Sequence, residues 1–515
     1  MTRQVLRYRA AGSIALISAV ASLLSVTSSA ASEDAKSADS ASVEAPLVES
    51  ESEAGKRLRA SGRLSAASAC TATVIAPSTD VNARDKALIL TAGHCVNSSM
   101  GTNEVVVDKV APTGWSFTPS YFKDNKDLHS KNRVESIVYA TMKDADIAVL
   151  RLESTYADLA KRGIAPRGIS GEYPKVAESV EVGHAPSDGI PADEQYMRVS
   201  ECVIQRDDIA LTEGAWLWRD AVAADCAGVH GGSSGSPVGK AGGPVTAVLN
   251  TIATPGFLGC GLNRPCEGRP NGLWVPSDGT SYATPVGTLA ACLRPTGVDF
   301  SRPGCNLDRG EHLDLSFRAS TIKSMNESGP NRWNVTAGAG MSHYTWASFK
   351  EGKLGVVNCS NPHGYSRPTK LEGSNIRFNG PLPKEDGLHV VCSIGGSGPD
   401  LSDTSWSASL SNPAYAYAKV DNTPPVASPV IDVMEFESDQ GPAFSVSPGL
   451  ALWEIVSMDY KYGPKGTVDC SDRSGYQGYI GFPAVMNKNE GSFTYCAIGS
   501  DYAGNETKPA EFAVS

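Results

Sequence analysis

The amino-acid sequence predicts an all-β protein divided into several domains. Its 515 residues exceed the usual domain size of about 100–150 residues, so we expect three or four domains. Its 51 glycines and 32 prolines favour strands joined by turns over long helices. Apolar runs at 74–77, 87–90 and 245–252 have the length of buried strands. This composition excludes a coiled coil, a collagen and a chain that is disordered throughout.

The charge of the chain argues against a general nucleic-acid partner. The 45 basic and 56 acidic residues give a formal net charge of -11 at pH 7. Proteins that bind nucleic acid carry a basic face or stripe that neutralises phosphates. We therefore expect no nucleic-acid partner.

The N-terminus has the three parts of a secretory signal peptide, assigned to residues 1–30. A short arginine-containing segment precedes an apolar stretch at 10–26, and small residues at 28–30 precede an acidic segment. A membrane anchor is the alternative, but the stretch is short and ends in residues typical of a cleavage site. No later run approaches the roughly 20 apolar residues needed to cross a bilayer. We expect a secreted protein, extracellular, periplasmic or associated with the cell surface, with no integral membrane span.

Residues 31–54 have the composition of an acidic leader or pro-segment. They hold seven acidic residues against Lys36, with many serines and alanines and no aromatic residue. Such a segment cannot bury enough apolar surface to offset the entropy of ordering, so we expect it to stay unpacked. A pro-segment and a solvated leader both fit. If the segment masks a site, processing near Lys56 and Arg57 would relieve the masking.

The twelve cysteines predict six disulfides, because export places them in an oxidising environment. They fall into groups of eight, two and two, so each predicted domain can close its own bridges. The groups are Cys70, Cys95, Cys202, Cys226, Cys260, Cys266, Cys292 and Cys305; Cys359 and Cys392; and Cys470 and Cys496. No Cys-x-x-Cys or His-Glu-x-x-His run offers a metal site, and we expect no metal.

The last two cysteine pairs belong to an internal repeat. The first copy has Val-Asn-Cys-Ser around Cys359 and Val-Cys-Ser-Ile-Gly around Cys392. The second has Val-Asp-Cys-Ser around Cys470 and Tyr-Cys-Ala-Ile-Gly around Cys496. Two related modules are the simplest explanation.

Each copy predicts a small β-sandwich, at 307–421 and 422–515, with Trp346 or Trp453 packed near the disulfide. The proline-rich stretch 421–425 is typical of a stiff linker. The modules resemble the immunoglobulin-like modules appended to secreted bacterial proteins. This resemblance implies a binding or spacer role, with a surface glycan or a protein as the ligand. An inert stalk is the alternative.

Three short segments within residues 55–306 carry the groups of one nucleophilic site. They are Leu-Thr-Ala-Gly-His-Cys at 90–95, Asp-Ala-Asp-Ile-Ala-Val-Leu at 144–150 and Gly-Gly-Ser-Ser-Gly-Ser-Pro at 231–237. A serine hydroxyl becomes a good nucleophile when an imidazole takes its proton and a buried carboxylate fixes the tautomer of that imidazole. Each segment alone has a structural explanation, but together they supply one group of each type. Their order argues against an α/β-hydrolase, in which the histidine follows the serine.

All three segments resemble those of the trypsin (chymotrypsin-fold) serine peptidase family, which uses Thr-Ala-x-His-Cys, Asp-Ile-Ala-x-Leu and Gly-x-Ser-Gly-x-Pro in this order. The resemblance implies that His94 is the general base and acid, Asp146 its orienting carboxylate and Ser234 the nucleophile. Asp144 is the alternative acid, but Asp146 directly precedes the Ile-Ala pair of the motif.

Among the neighbouring serines, Ser234 is favoured over Ser233 and Ser236. Gly232 lies two residues before it and Gly235 directly after it. Glycines there allow a tight turn that would aim the amides of Gly232 and Ser234 at a developing oxyanion.

The same resemblance implies two antiparallel β-barrels within residues 55–306, with the histidine and aspartate on the first barrel and the serine on the second. It implies a Cys70–Cys95 bridge that closes the histidine loop, a protein or peptide substrate, and no cofactor.

Two positions depart from the animal members of the family. Ser233 stands where those members carry an aspartate that pairs with a newly cut N-terminus, so the sequence is closer to bacterial glutamyl-endopeptidase-like members. Gly228 stands where trypsin-like members hold the acid of the substrate pocket. Asp225 and His230 are alternative pocket residues, and the cleavage preference stays open.

These observations predict a secreted serine endopeptidase that forms an acyl-enzyme on Ser234, with C-terminal modules for attachment to a substrate or a surface. The alternative is a catalytically inactive adhesion or binding protein on a peptidase scaffold.

Overall fold

The computed structural model describes most of the chain from residue 45 onward. The described ranges are 45–77, 81–254, 260–269, 274–310, 315–316, 321–338, 342–350, 359, 361, 363–370, 375–402, 406, 410, 413–449 and 454–515. The predicted signal peptide, residues 31–44 of the acidic leader, and Trp453 lie outside the described residues.

Strands make up nearly all of the regular structure, which confirms the all-β prediction. The helices whose ends lie within the described residues are α1 (Glu53–Leu58), α2 (Tyr156–Ala160) and α3 (Gly287–Cys292). Single 3-10 turns occur at Gly93–Cys95, Lys126–Leu128, Ala192–Glu194 and Lys488–Glu490. In the part of the chain that the structure describes, no helix is long and apolar enough to span a membrane.

The first barrel is a closed antiparallel sheet of six strands. The strands of this region are β1 (Ser61–Ser65), β2 (Ala69–Ala76), β3 (Lys86–Thr91), β4 (Val105–Val110), β5 (Ser116–Pro119), β6 (Asn132–Thr141), β7 (Ile147–Thr155) and β8 (Arg167–Gly168). The order β1-β5-β6-β7-β3-β2 closes because β2 also pairs with β1. Apolar residues of these strands form one buried core, and the same core continues between the two barrels.

The second barrel closes in the same way. The strands of this region are β9 (Ser179–His184), β10 (Arg198–Glu213), β11 (Trp216–Ala224), β12 (Pro237–Gly239), β13 (Ala247–Ile252), β14 (Cys266–Gly268), β15 (Trp274–Pro276), β16 (Ser281–Pro285), β17 (Leu293–Arg294) and β18 (Gly297–Val298). The order β11-β16-β13-β12-β9-β10 returns to β11 through the β10–β11 pairing. The predicted double antiparallel barrel is therefore confirmed.

All twelve cysteines are paired, and every bridge lies within its predicted group. The bridges are Cys70–Cys95, Cys202–Cys226, Cys260–Cys266, Cys292–Cys305, Cys359–Cys392 and Cys470–Cys496. The Cys70–Cys95 bridge ties β2 to the turn that follows β3, as the resemblance implied.

Residues 45–54 of the acidic leader pack against the second barrel, so the expectation that they stay unpacked is wrong. The amide of Val48 donates to the carbonyl of Met197 at 3.0 Å, and Arg198 Nη1 donates to the carbonyl of Ala45 at 2.6 Å. Ala45 and Val48 are buried. The segment is ordered because its backbone pairs with the start of β10. Composition alone does not reveal these backbone hydrogen bonds.

The expected processing position lies inside α1. Ser52 caps the N-terminus of this helix, and its hydroxyl accepts a hydrogen bond from the amide of Gly55 at 2.9 Å. Arg57 pairs with the buried carboxylate of Glu181 on β9 at 2.6 Å. Cleavage beside Lys56 would cut a packed helix, so the structure does not support processing there. The domain boundary that the sequence predicted between residues 54 and 55 also falls within this helix.

The first C-terminal module contains two sheets that share one core. Its strands are β19 (Leu315–Ser316), β20 (Thr321–Ile322), β21 (Met325–Asn326), β22 (Gly329–Pro330), β23 (Val335–Gly338), β24 (His343–Lys350), β25 (Thr369–Lys370), β26 (Asn375–Phe378), β27 (Gly387–Gly396) and β28 (Ala414–Val420). The sheets have the orders β19-β23-β26 and β20-β28-β27-β24-β25. Trp333 and Val391 lie in the core between them.

The second module has the same two-sheet construction. Its strands are β29 (Ile431–Ser438), β30 (Gly441–Pro448), β31 (Ser457–Pro464), β32 (Gln477–Gly478), β33 (Ala484–Asn487), β34 (Phe493–Ser500) and β35 (Ala510–Val514). The sheets have the orders β29-β30-β33 and β32-β31-β34-β35, and Phe444 and Tyr495 lie between them. Whether the modules are immunoglobulin-like stays a prediction.

The internal repeat is visible in corresponding hydrogen bonds. The hydroxyl of Tyr365 donates to the carbonyl of Cys359 at 2.7 Å, and that of Tyr476 donates to the carbonyl of Cys470 at 2.9 Å. One expectation for the first copy is wrong: Trp346 packs into the core between the sheets, whereas the disulfide of Cys359 lies in a cluster on the other face of the sheet.

Candidate active site

The first barrel presents His94 in a turn directly after β3. This turn, Gly93–Cys95, is held by the disulfide from Cys95 to Cys70 on β2. A Cβ at Gly93 would overlap the carbonyl of Thr141, so only glycine lets the turn approach β6 this closely. The local sequence therefore places the imidazole at the end of a buried strand with little freedom to move.

Asp146 lies against this imidazole. His94 Nδ1 is 2.7 Å from Asp146 Oδ2, and the His94 amide donates to Asp146 Oδ1 at 2.9 Å. The carboxylate is 1% exposed, directly before β7. Both oxygens thus engage one residue, and a carboxylate at Nδ1 keeps the proton on that nitrogen and leaves Nε2 free to accept one.

Asp144, the alternative acid, has different partners. Its carboxylate pairs with Arg219 and accepts a hydrogen bond from the hydroxyl of Tyr415 at 3.1 Å. Its backbone has a positive φ of 60°, which redirects the chain just before Asp146. The structure therefore brings Asp146, and not Asp144, to the imidazole.

The electrostatic surroundings of His94 favour the charged imidazole. Burial lowers its pKa, but the charge and hydrogen bond of Asp146 and the charge of Glu213 together raise the pKa above its ordinary value of 6.5. Glu213 is 5% exposed at the end of β10 and accepts a hydrogen bond from the amide of Asn263 at 2.8 Å. Sequence reasoning missed Glu213, because nothing near residue 213 resembles a catalytic motif.

The second barrel presents Ser234 in the loop before β12. The carbonyl of Ser234 accepts a hydrogen bond from the amide of Thr71 at 2.8 Å, which links this loop to the first barrel. Cys95 Sγ lies 3.9 Å from both Ser234 O and His94 Nε2. The structure therefore brings together the three residues that the sequence singled out.

The Ser234 hydroxyl donates to the carbonyl of Asn250 at 3.0 Å. Asn250 also donates through Nδ2 to the carbonyl of Asp146 at 2.6 Å. One asparagine on β13 thus contacts both the serine and the aspartate segment. The hydroxyl proton is thus directed at a carbonyl, and among the described residues no hydrogen bond joins Ser234 Oγ to the imidazole of His94.

Glycines shape the serine loop as the sequence predicted. Gly232 and Gly235 have φ values of 93° and 86°, which other residues rarely adopt. A Cβ at Gly235 would overlap the hydroxyl of Thr91. The amides of Gly232 and Ser234 donate no hydrogen bond to any described residue, so both remain able to receive an oxyanion.

A buried polar cluster supports the residue before Ser234. Ser200 Oγ donates to the carbonyl of Ala227 at 2.5 Å, so the 3.0 Å contact with His184 Nε2 is donated by the histidine. His184 Nδ1 then accepts from Ser233 Oγ at 2.9 Å, and Ser233 Oγ accepts in turn from the His230 amide at 3.3 Å. Sequence reasoning missed this cluster because its histidine ends an apolar strand.

The cluster requires a neutral imidazole. His184 is fully buried, and burial together with the charges of Arg198 and His230 lowers its pKa to about 3. The residue before Ser234 is therefore a hydroxyl fixed by an uncharged histidine.

The residues considered for the substrate pocket take distinct positions. Gly228 has a φ of 70°, and a Cβ there would overlap the backbone nitrogen of Ala45. Asp225 is exposed, while His230 is partly buried. Ala45 of the leader segment thus contacts Gly228, which leaves no room there for a side chain.

One group of described residues has the spacing of metal ligands: Cys70, His94 and Cys95. Both sulfurs form the disulfide and therefore lack the thiolate that binds a metal.

Residues 70–248 match the family model of the trypsin-like peptidase domain, a range that contains His94, Asp146 and Ser234. No curated protein matches the sequence.

Among solved structures, the chain is similar to the Rv3671c protease from M. tuberculosis, with 14% identity over 47% of this chain and 86% of that one and a TM-score of 0.29. It is similar to the thermostable serine protease AL20 from an extremophilic microorganism, with 15% identity, coverages of 45% and 92%, and a TM-score of 0.29. It is also similar to an inactivated protease paralogue of the scabies mite, with 13% identity, coverages of 47% and 94%, and a TM-score of 0.32.

Proposed function

We propose that this chain, which contains a trypsin-like peptidase domain, is a serine endopeptidase that hydrolyses peptide bonds of protein substrates through an acyl-enzyme on Ser234. The observation that carries the proposal is the two-point contact of Asp146 with His94 beside the Ser234 loop. This contact supplies the oriented base that a serine hydroxyl needs at neutral pH.

The reaction begins when the Ser234 hydroxyl turns from Asn250 to His94. His94 Nε2 takes the hydroxyl proton while Oγ forms a bond to the substrate carbonyl carbon, whose π electrons move to the oxygen. The amides of Gly232 and Ser234 donate to that oxyanion, a contribution that is typically worth about 3 kcal/mol for one donor. Asp146 stabilises the imidazolium, and its burial strengthens the attraction.

Collapse of the intermediate breaks the carbon–nitrogen bond, and His94 returns its proton to the leaving amine. A water molecule then gives a proton to His94 while its oxygen attacks the acyl carbon. Breakage of the ester bond to Ser234 Oγ, which takes the proton back from His94, regenerates the hydroxyl and releases the carboxylic acid product. The two halves use the same base and the same amides, so no cofactor is needed.

The proposal extends to the setting of the enzyme. The signal-peptide pattern of 1–30 and the six disulfides favour secretion from a bacterium, where an oxidising environment keeps the bridges closed. The Gly-x-Ser-Gly-Ser-Pro sequence of 232–237 favours the glutamyl-endopeptidase-like branch. Profiling of cleavage sites in a denatured proteome digest would give the side chain preferred beside the cut bond.

Labelling with an organophosphonate tests the proposed nucleophile. The full chain is expected to form one adduct, and the adduct is lost in Ser234→Ala. The matched control is Ser130→Ala, which removes an exposed hydroxyl of the first barrel and should leave labelling unchanged. Folding of each variant is checked by its thermal transition.

A catalytically inactive binding protein is the second candidate. The observation that favours it is the hydrogen bond from Ser234 Oγ to the Asn250 carbonyl, which directs the hydroxyl away from proton transfer. Correctly folded protein that forms no adduct, or an adduct that persists in Ser234→Ala, would support this candidate against the peptidase.

A further inference from the structure

Strand β28 of the first C-terminal module has two buried faces. Its sequence is Ala-Tyr-Ala-Tyr-Ala-Lys-Val, and side chains alternate between the faces of a strand. The small residues and Val420 point into the core of the module itself. Tyr415, Tyr417 and Lys419 lie on the other face and are only 4%, 2% and 6% exposed. A free module would leave that second face in water.

The second face contacts the peptidase domain through the end of each side chain. The Tyr417 hydroxyl donates to the carbonyl of Trp216 at 2.9 Å, and Lys419 Nζ donates to Thr212 Oγ1 at 3.2 Å. Thr212 and Trp216 lie on either side of the turn between β10 and β11. Leu217 of β11 completes an apolar cluster with both tyrosines.

Tyr415, the remaining side chain of this face, contacts the segment that carries the catalytic aspartate. The Tyr415 hydroxyl donates to Asp144 Oδ1 at 3.1 Å. The guanidinium of Arg219, which pairs with the same carboxylate, lies 5.1 Å from the centre of the Tyr415 ring. Asp144 is two residues before Asp146.

Hydrogen bonds between the Asn103 side chain and the backbone of Tyr415 fix the register of this contact. The Tyr415 amide donates to Asn103 Oδ1 at 2.9 Å, and Asn103 Nδ2 donates to the Tyr415 carbonyl at 2.7 Å. Asn103 is 1% exposed, so one side-chain amide of the first barrel satisfies both backbone groups of the strand residue. Lys143 Nζ also donates to the carbonyl of Pro413 at 2.6 Å.

The second module provides an internal comparison for this face. Tyr415 pairs opposite Cys392 in the first module, and Glu511 pairs opposite the equivalent Cys496 in the second. Two residues further on, Ala513 takes the place of Tyr417 by the same register. Glu511 and Ala513 are exposed. The repeat thus shares the strand but not the aromatic face.

We propose that the first C-terminal module is a built-in part of the catalytic unit, in which Tyr415 and Tyr417 act as positioning residues for the aspartate segment and for the β10–β11 turn. The inference rests on the proposed peptidase function. It departs from the sequence-based expectation that both modules serve as a binding element, a spacer or a stalk.

The proposed route to the reaction has two branches. Through Asp144, the module holds the backbone that presents Asp146 to His94. Through the β10–β11 turn, it holds Glu213, whose charge also acts on His94. Loss of either contact, at Asp144 or at the β10–β11 turn, reduces the stabilisation of the imidazolium that forms in the transition state. We therefore expect kcat to fall while KM stays near its wild-type value.

The first test is Tyr415→Phe in the full chain, compared with Tyr476→Phe in the second module. Both substitutions delete one tyrosine hydroxyl that donates a hydrogen bond. Loss of one hydrogen bond corresponds to about a threefold to tenfold effect, so Tyr415→Phe should lower kcat by that factor and move the acid limb of the kcat/KM profile to lower pH. Tyr476→Phe should leave both unchanged.

The second test places the residues of the second module on β28, as Tyr415→Glu with Tyr417→Ala. Because these side chains point away from the core of the module, the module should still fold, and hydrogen exchange of the residue 415 amide, which donates to Asn103, should become faster as the strand leaves the peptidase domain. The tyrosine hydroxyls and the ring packing are both lost, so kcat should fall further than in Tyr415→Phe.

The outcomes separate the two proposals. Wild-type protein that forms no organophosphonate adduct contradicts the peptidase function itself. Active wild type with Tyr415→Phe matching Tyr476→Phe in kcat and pH profile overturns the positioning role alone. A variant that only melts at lower temperature, with kcat and pH profile unchanged, overturns it as well, because stability alone would then explain the contact.

Discussion

Replacing His184 by glutamine removes the buried imidazole that fixes the residue before the nucleophile. In the wild type His184 donates to Ser200 and accepts from Ser233, so the native state holds it neutral. Its pKa is lowered to about 3 from an ordinary value of 6.5. Glutamine keeps a polar group in the cavity but does not titrate, so the variant isolates the effect of this one proton.

The sign of the effect follows from which state binds the proton. Below pH 6.5 the unfolded chain protonates His184 while the native protein does not until about pH 3, so stability is lost as the pH falls through this window. With these two pKa values, the loss between pH 7 and pH 5 is about 2 kcal/mol. The full burial of the side chain means that solvent screening does not reduce this estimate appreciably.

Denaturant unfolding at pH 7 and pH 5, followed by tryptophan fluorescence, measures the effect. The free energy of unfolding of His184→Gln should fall by about 2 kcal/mol less than that of the wild type over this interval. His363→Gln, at an exposed histidine, is the matched control and should follow the wild type. Parallel pH dependence of the wild type and His184→Gln would refute the assignment of a neutral buried imidazole.

Three further predictions follow from the site. Glu213→Gln removes a charge that raises the pKa of His94, so the acid limb of the kcat/KM profile should move to lower pH; an unchanged midpoint contradicts the electrostatic role. Gly235→Ala forces a side chain onto a backbone with φ 86°, which costs about 1–3 kcal/mol, and organophosphonate labelling should slow; a wild-type rate contradicts it. Joint replacement of Cys70 and Cys95 by alanine opens a loop of 25 residues and should lower the free energy of unfolding by about 3 kcal/mol, measured with denaturant.

The sequence predicted the parts of the site that depend on short motifs. His94 lies in the turn after β3 and Asp146 directly before β7, and each motif includes the end of the strand that positions its residue. The double barrel followed from the resemblance that these motifs carry. The division of the cysteines into groups was predicted, because every bridge stays within one group, but within the group of eight only Cys70–Cys95 was predicted.

Contacts between distant segments were not predictable. The neutral cluster at His184 joins β9, β10 and the serine loop, and no local pattern marks any of its members. The leader was expected to stay unpacked because composition measures apolar surface, whereas residues 45–54 are held by backbone pairing with β10. The docking of Tyr415 on Asn103 depends on residues 312 positions apart.

The burial of both faces of β28 has a consequence for how the protein unfolds. Separation of the module exposes the tyrosine face of β28 together with Leu217 of β11, and unfolding of the module removes both tyrosines from that contact. Heating should therefore melt the first module and the adjoining barrel in a single calorimetric transition, and proteases should find no intermediate in which one has opened while the other remains intact.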